Sequence, residues 1–500
     1  MGKYIIAHDL GTSGNKATLF TVEGEMKRSA TFDYPVNYFH GNCAEQNPDD
    51  WWSAVCGATK SLLKEVDPAD ILAVSFSGQM MGCVCVDKRG TPLRPAIIWA
   101  DMRSDAQEHA LADKIDPKRF YGITGHKLSR SYSVEKLMWV RDNEPAIYEK
   151  TYKMLHAKEY IVCKMTGEFV TDYSDASGTN AFDINSMTWS DEIINAAGVE
   201  KRLFPDIKPS TFLAGGVSKT ASAECGLSEG TKIILGGGDG SCASVGAGSI
   251  REGVTYNCLG SSSWISTVSR EPFFDPEMRT VTWAHVIPGL LIPSGTMQTA
   301  GASYAWAKKL LFDDESAGEN EYERINQAIS ESKAGSNALI FLPYLLGERC
   351  PRWNSNARAS FVGLKMRHTA GDMMRSVMEG VAMNLDIILN ILQRATVIDE
   401  MIVVGGLAQD SVQRQILADI YGMNVISLQY LEEATSIGAA VIAGVGIGVL
   451  EGFESAARFN KKLNHITPIK ENVEQYRKLK PLFEKAYENQ CEIFDSLAAI

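Results

Sequence analysis

Five hundred residues, 45% hydrophobic and 22% charged, are too many for one compact domain and too apolar for wholesale disorder; length alone points to roughly two to four domains. Lys and Arg number 49 against 61 Asp and Glu, a net charge of −12. That balance argues against a nucleic-acid or anionic-membrane binder, whose affinity comes from a basic face, but it leaves room for a phosphate held on a few backbone N–H groups.

The chain opens as strand, turn, strand, turn, strand. Tyr4 to Ala7 is apolar, Gly11-Thr12-Ser13-Gly14 is a turn, Lys16 to Val22 alternates, and Glu23-Gly24 turns into Met26 to Tyr34. Asp9 breaks the first apolar run, against a signal peptide, and Ile6 stands where an acylation site beginning Met1-Gly2 needs Ser or Thr. Asn47-Pro48-Asp49-Asp50 starts a helix carrying Trp51, Trp52, Val55 and Leu62. Ile71 to Ser77 is the next strand, ending in Gly78-Gln79-Met80-Met81-Gly82. Strands alternating with helices after a meander predict a layered α/β domain.

Ten cysteines lack a CxxC pair or zinc-ligand spacing with His, as expected of small core residues under reducing conditions; Cys83 and Cys85, flanking Val84, share one face of a strand. After the strand Ile233 to Leu235 comes Gly236-Gly237-Gly238-Asp239-Gly240-Ser241 and a helix of small residues, Cys242 to Gly246. The glycines let a backbone approach a ligand, and Asp239 either caps that helix or acts as a general base toward a substrate hydroxyl.

The second half repeats the opening. Val254 to Leu259 and Trp264 to Val268 are strands around Gly260-Ser261-Ser262-Ser263, and Asp9-Leu10-Gly11-Thr12-Ser13 matches Cys258-Leu259-Gly260-Ser261-Ser262 at an offset of 249 residues. The boundary is expected within Gly246 to Gly253, dividing the chain into residues 1–248 and 249–500. Met401 to Val404 leads into Gly405-Gly406 and a helix from Ser411 with Ile416, Leu417 and Ile420. The longest uncharged run, Ile437 to Leu450, is shorter than the roughly 20 residues a bilayer needs and predicts a closely packed buried helix. From Glu471 the tail carries Val473, Tyr476, Leu479, Phe483, Tyr487, Cys491 and Phe494 at helical spacing, predicting a closing helix on its own domain. A cytoplasmic protein without membrane or nucleic-acid partners is expected.

Three glycine-rich turns, near residues 11, 260 and 405, follow predicted strands; none is a Walker A loop or a GxGxxG fingerprint. Duplicated halves that each open on such a hairpin resemble the scaffold of actin, the heat-shock ATPases and the sugar kinases. Tyr132-Ser133, Lys136-Leu137-Met138-Trp139-Val140 and Asp142-Asn143-Glu144 are similar to one signature of the FGGY family of carbohydrate kinases. Phe361, Gly363-Leu364, Asp372, Ser376 and Glu379 are similar to a second. Asp9 to Lys16, Ser77-Gly78-Gln79-Met80 and Gly347-Glu348-Arg349-Cys350-Pro351 resemble the family's xylulokinase branch, so the likeness spans essentially the whole chain.

The resemblance implies two RNase-H-like α/β domains with sugar and ATP in the cleft between them, and ATP-dependent phosphorylation of a small sugar, D-xylulose first, with another pentulose or polyol (L-xylulose, ribulose, erythritol, ribitol) or a non-kinase sugar sensor as alternatives. By the same resemblance Asp239 is the catalytic base, and Asp9 helps hold Mg²⁺ unless it only caps the Gly11 turn. Thr12, Ser13, Asn15 and Lys16 form the first phosphate hairpin, Gly260 and Ser261 the second. Gly301, Gly405, Gly406 and Asp410 line the nucleotide. Gln79, Met80, Met81, Trp99 and Asp101 face the sugar, although Trp99 also reads as core and Asp101 as a partner for Arg103. A homodimer is compatible with the family. Two positions depart from the branch: Met81 stands where it has His, and Gly240 where it has Asn. Methionine cannot supply an imidazole's hydrogen bond, so both departures bear on which sugar is accepted.

Overall fold

Two sheets of the same strand order lie on either side of a shared pair of helices. The computed structural model describes residues 3–312 and 321–500; the Met1-Gly2 start falls outside them. In the first sheet Tyr4–Leu10, Gly14–Thr21 and Met26–Asp33 form an antiparallel meander. Ile71–Gly78 and then Lys232–Ile234 add parallel to Tyr4–Leu10, and Leu213–Gly216 closes the edge antiparallel. In the second sheet Thr255–Leu259, Ser263–Thr267 and Leu291–Met297 make the meander. Glu400–Val404 and Asn424–Leu428 are its parallel pair and Lys462–Ile466 its antiparallel edge, with Val281–Ala284 added beyond the meander.

The register repeats as well. Asp9 sits opposite Lys16 and beside Ser77; Cys258 sits opposite Trp264 and beside Val404. The similarity of the two glycine turns in sequence thus marks equivalent hairpins, but only the first half carries a carboxylate at that strand end.

The helices Asp239–Gly246 and Ala434–Gly446 fill the space between the sheets. Ile437 and Ala439 to Ala443 pack with Ile5, Ala7, Phe20 and Ala73 of the first sheet. Ala243 and Ala247 pack with Tyr256, Ile402, Val404 and Ile426 of the second. Each half therefore lends a helix to the other half's sheet. Small residues permit it: a Cβ on Gly438 would lie 2.0 Å from the Cys242 carbonyl oxygen, and one on Gly246 would lie 1.9 Å from that of Ala434. The uncharged run from Ile437 is helical only as far as Gly446.

The Pro48–Leu62 helix starts at its Asn47 cap, whose side chain accepts from the Asp49 N–H. The tail helix spans Lys470–Glu488 and breaks before a second, Cys491–Ala498; Tyr476, Leu479, Phe483, Tyr487 and Phe494 all join the second-half core. The second signature is structural: Asp372 closes a capping box with Thr369, and buried Glu379 takes Arg375, the Tyr476 hydroxyl and the Gly335 N–H. All ten cysteines are free, with the Cys83 and Cys85 sulfurs 3.9 Å apart. Among the described residues no helix is long and apolar enough to cross a membrane.

Candidate active site

Both glycine hairpins are built alike in their polar groups. In the first, the Tyr34 hydroxyl donates to the Gly11 carbonyl at 2.6 Å, Gln79 Nε2 donates to the same oxygen at 3.3 Å, and Gln46 Nε2 donates to that of Thr12 at 2.8 Å. In the second, the N–H groups of Ala300 and Ala302 hold the Ser261 carbonyl, and that of Gly301 holds Gly260 at 2.9 Å. Carbonyls are thus tied back on both sides, while the N–H groups of Thr12, Ser13, Ser261 and Ser262 have no partner among the described residues. Such turns are concave N–H surfaces, suited to a polyphosphate. Gly301 must be glycine for this docking, because a Cβ there would sit 2.6 Å from the Gly260 oxygen. Gly405, at φ 93°, has a similar constraint against the Leu259 oxygen at 2.6 Å.

Asp9 lies at the end of its strand, where the Thr435 hydroxyl donates to its Oδ2 at 2.7 Å. Burial raises its pKa, and the Thr435 hydrogen bond and Lys16 oppose the rise. Lys16 pairs with Glu433 from the other half. A carboxylate beside unpartnered N–H groups and a lysine suits a hydrated divalent cation on a polyphosphate.

Asp239 is the first residue of its helix, placed there by the two-residue strand Gly237–Gly238 that pairs with Ser77 and Gly78. A buried relay supports that strand: the Gly238 N–H donates to Ser174 Oγ at 2.9 Å, Ser174 donates to Asp172 at 2.6 Å, and Asp172 faces Lys158 Nζ at 3.1 Å. His156, Glu159 and Asp175 also cluster nearby, but Lys158 stands 3.0 Å from Asp175 and supplies the positive charge there. The Asp239 side chain is exposed to the cleft, with cavity walls from both halves around it that desolvate the carboxylate. Burial and the neighbouring Asp9 raise its pKa to about 7, opposed by the Gly240 N–H.

Asp239 opens into a cavity of about 230 Å³ lined from both halves. The first half gives Thr12, Met80, Met81, Trp99, Gly240 and Ser241; the second gives Trp264, Trp283, Ser294, Thr296 and Arg349 among others. Trp99 donates its Nε1–H to Thr12 Oγ1 at 2.9 Å, tying the cavity wall to the first hairpin. Met81 has φ 62°, and its carbonyl accepts from Lys136 Nζ at 2.8 Å. Lys136 is fully buried, also donates to the Ser131 carbonyl, and has its pKa pushed down by burial to about 7. A Cβ on Gly240 would meet nothing within 4 Å, so the missing side chain enlarges the cavity.

Four expected residues sit elsewhere. Asn15 alternates with Lys16 along its strand, so its side chain turns into the core toward His8 and the Ala54 carbonyl. Asp101 is fully buried, bonded to Arg103 and to the Ala44 N–H; it does not line the cavity and braces the chain behind Trp99. Gln79 props the first hairpin, also donating to Gln46 Oε1 at 2.9 Å. Asp410 caps the Ser411–Tyr421 helix through the Val412 and Gln413 N–H groups. Sequence reasoning left out Trp264, Trp283, Ser294 and Thr296, which converge from three strands without a motif, and gave Arg349 no role.

A duplicated sheet, paired N–H cradles and a carboxylate in the intervening cavity define a nucleotide-dependent phosphotransferase of the two-domain sugar-kinase class. Residues 4–246 match the N-terminal domain of the FGGY family of carbohydrate kinases and residues 255–447 its C-terminal domain; the chain belongs to this family and is an ATP-dependent sugar kinase. It is 31% identical over 499 residues to a xylulose kinase of Bacillus subtilis (strain 168), covering 99% of each chain. Among solved structures, a gluconate kinase from Lactobacillus acidophilus matches with TM-score 0.93 at 26% identity, covering 99% of this chain and 100% of that one. A ligand-bound xylulose kinase from the same organism matches with TM-score 0.91 at 28% identity, covering 99% of each.

Proposed function

We propose that the protein transfers the γ-phosphoryl group of Mg-ATP to the terminal hydroxyl of a small open-chain sugar, D-xylulose first, giving D-xylulose 5-phosphate and ADP. Residues 1–248 carry the base and much of the sugar wall, and residues 249–500 most of the nucleotide site. The observation that carries this reading is the Asp239 carboxylate, with its pKa raised to about 7, facing a sugar-sized cavity beside two N–H cradles.

Asp239 takes the proton as the sugar oxygen bonds to phosphorus and the bond from phosphorus to the ADP oxygen breaks. A pKa near 7 suits that task, because the ionised form is present at neutral pH and still basic enough to accept a proton. Thr12, Ser13, Gly260 and Ser261 position the phosphates through their backbone, Lys16 neutralises charge when released from Glu433, and Gly301, Gly405 and Gly406 leave room for the nucleoside. Asp9 is the residue to hold Mg²⁺, which neutralises phosphate charge when bound. Met80, Met81 and Trp99 give the sugar an apolar wall.

Gluconate is the second reading, favoured by the 0.93 TM-score to a gluconate kinase and by the absence of the imidazole expected at Met81. The test is coupled ADP release with Mg-ATP across D-xylulose, L-xylulose, ribulose, gluconate, erythritol and ribitol. Highest kcat/KM on D-xylulose supports the first reading and on gluconate the second. ADP release that no sugar stimulates would sink both and favour a sensor.

A further inference from the structure

Arg349 is out of keeping with the other buried arginines. Arg94, Arg103, Arg279, Arg352 and Arg375, with side chains 6–18% exposed, each hold a carboxylate at 2.6–2.8 Å. Arg349 has no acid within ion-pair distance among the described residues, and its side chain makes no hydrogen bond. Its Nε is sealed from solvent without a partner, yet the residue lines the sugar cavity. The adjacent Glu348 does not serve it: that carboxylate takes the Gln298 N–H at 2.6 Å, the Arg349 backbone N–H at 2.8 Å and Asn384 Nδ2 at 3.0 Å. Glu484, the next acid in reach of this segment, is held by both terminal nitrogens of Arg352.

A guanidinium whose Nε is sealed from water and which has no counter-charge is costly to maintain and is readily compensated by a planar oxygen acceptor. Nothing else lining the cavity is cationic: the rest of the wall consists of hydroxyls, tryptophans, methionines, Ile292, Gly240 and Asp239. Substrate chemistry supplies such an acceptor. A ketopentose that presents its terminal hydroxyl for phosphorylation cannot also close that oxygen onto its own carbonyl, so the reacting form is open-chain and its C=O is free. An aldonate presents a carboxylate at the end remote from its terminal hydroxyl. A polyol presents neither.

Resting on the kinase reading above, we propose that the Arg349 guanidinium binds the oxidised end of the substrate, a ketone or carboxylate oxygen, and so makes the enzyme select open-chain ketoses or aldonates over polyols. Arg349 is a substrate-contacting, specificity-determining residue separate from the phosphoryl-transfer machinery. The carboxylate accepts both arms of the fork and the ketone one or two of its N–H groups, which distinguishes the two sources of the same acceptor chemistry.

The experiment compares wild type, Arg349→Gln and Arg349→Lys on D-xylulose, gluconate and xylitol. It reads kcat and KM by coupled ADP release, and Kd by quenching of the tryptophans that line the cavity. Wild type should prefer D-xylulose or gluconate to xylitol. Arg349→Gln should lose roughly 30-fold or more in kcat/KM on the preferred acid or ketose, mostly through KM, while xylitol changes by less than about threefold. Arg349→Lys should recover part of the loss on gluconate, where charge matters, and little on D-xylulose, where the fork matters. Tm within a few degrees of wild type shows that the variants fold; if Arg349→Gln does not, Arg349→Lys alone carries the comparison. An equal loss on all three substrates, or a wild type that prefers xylitol, overturns the proposal. Absence of any sugar-stimulated ADP release in wild type overturns the kinase reading itself, a separate outcome.

Discussion

Thr435 donates its hydroxyl to Asp9 Oδ2 at 2.7 Å across 426 residues of chain, so the carboxylate at the end of the first strand is held by the start of a helix from the second half. Two residues earlier Glu433 pairs with Lys16 on the same hairpin. Both contacts fasten the Ala434–Gly446 helix to the first hairpin, and under the proposed function a polyphosphate would compete with Glu433 for Lys16.

Thr435→Val removes the donor while keeping the shape. A hydrogen bond to a charged group contributes about 1.5–3 kcal/mol. Because the Thr435 bond opposes the burial that raises the Asp9 pKa, its loss raises that pKa further and weakens the carboxylate as a cation ligand. The expected outcome is a roughly 10-fold fall in kcat/KM for Mg-ATP and a higher Mg²⁺ concentration at half-maximal rate. Steady-state titrations of Mg²⁺ at fixed ATP check this, and an unchanged Mg²⁺ dependence would dissociate Asp9 from the cation.

Asp239 gives a pH signature with opposite signs for activity and stability. Its base form is the ionised one, so kcat/KM should fall about tenfold per pH unit below pH 7 and level off above it. For folding, a carboxyl raised from 3.8 to about 7 holds its proton longer in the native state, so the stability it contributes is full below pH 4 and is lost as pH rises through 7. Asp239→Asn should therefore lose several orders of magnitude in kcat, keep sugar affinity, and melt at or about 1–2 °C above wild type at pH 8. Sugar-dependent turnover, tryptophan quenching and calorimetry at pH 5 and 8 measure the three. A turnover loss below tenfold would remove Asp239 as the base.

Much of this site was legible in the sequence, for definable reasons. The hairpins at Gly11 and Gly260 were legible because each packs its determinants into five consecutive residues, and the repeat at a fixed offset coincides with equivalent strands. Asp239 was legible because glycines flank it. Asn15 was misplaced because membership of a motif says nothing of which face a strand residue takes, and the alternation that exposes Lys16 buries its neighbour. Asp101 was misplaced because a buried carboxylate near a site is as readily a brace, here for Arg103 and the Ala44 N–H. The second-half wall was not legible at all: Trp264, Trp283 and Ser294 meet only through the order of strands in the sheet.

Lys136 illustrates a signature residue whose work becomes visible only in three dimensions. It is buried away from any hydrogen-bonded acid and holds two carbonyls, of which that of Met81 belongs to a cavity residue in the left-handed region. Lys136→Met leaves both carbonyls unpaired and frees the Met80-Met81 turn. The expected result is a sugar KM raised about tenfold with kcat within about threefold, since the base and the phosphate cradles are untouched. Burial lowers the Lys136 pKa to about 7, so the native state sheds a proton that the unfolded chain keeps to about 10.5; wild type should gain on the variant in stability as pH rises from 7 toward 10. Equal losses in kcat and kcat/KM would instead place Lys136 in transition-state stabilisation.

Gly438 tests whether the crossed helices between the sheets depend on contact of their backbones. Alanine is favoured over glycine within a helix by up to about 1 kcal/mol, so propensity alone predicts a more stable Gly438→Ala. Against this stands the Cys242 carbonyl oxygen, 2.0 Å from where the new Cβ would lie, a backbone atom that cannot rotate aside. Overpacking of that kind costs about 1–3 kcal/mol or more, which exceeds the propensity gain, so Tm should fall by several degrees. Gly240→Ala is the matched control: it lies in the partner helix with nothing within 4 Å of its added Cβ, so propensity should win and Tm should hold or rise slightly. Because the Gly438 helix also carries Thr435, the clash should reach the site as well, lowering kcat/KM for Mg-ATP in the same direction as Thr435→Val. A Gly438→Ala protein as stable and active as wild type would mean that the helices slide apart freely, and that the two halves are not coupled through this contact.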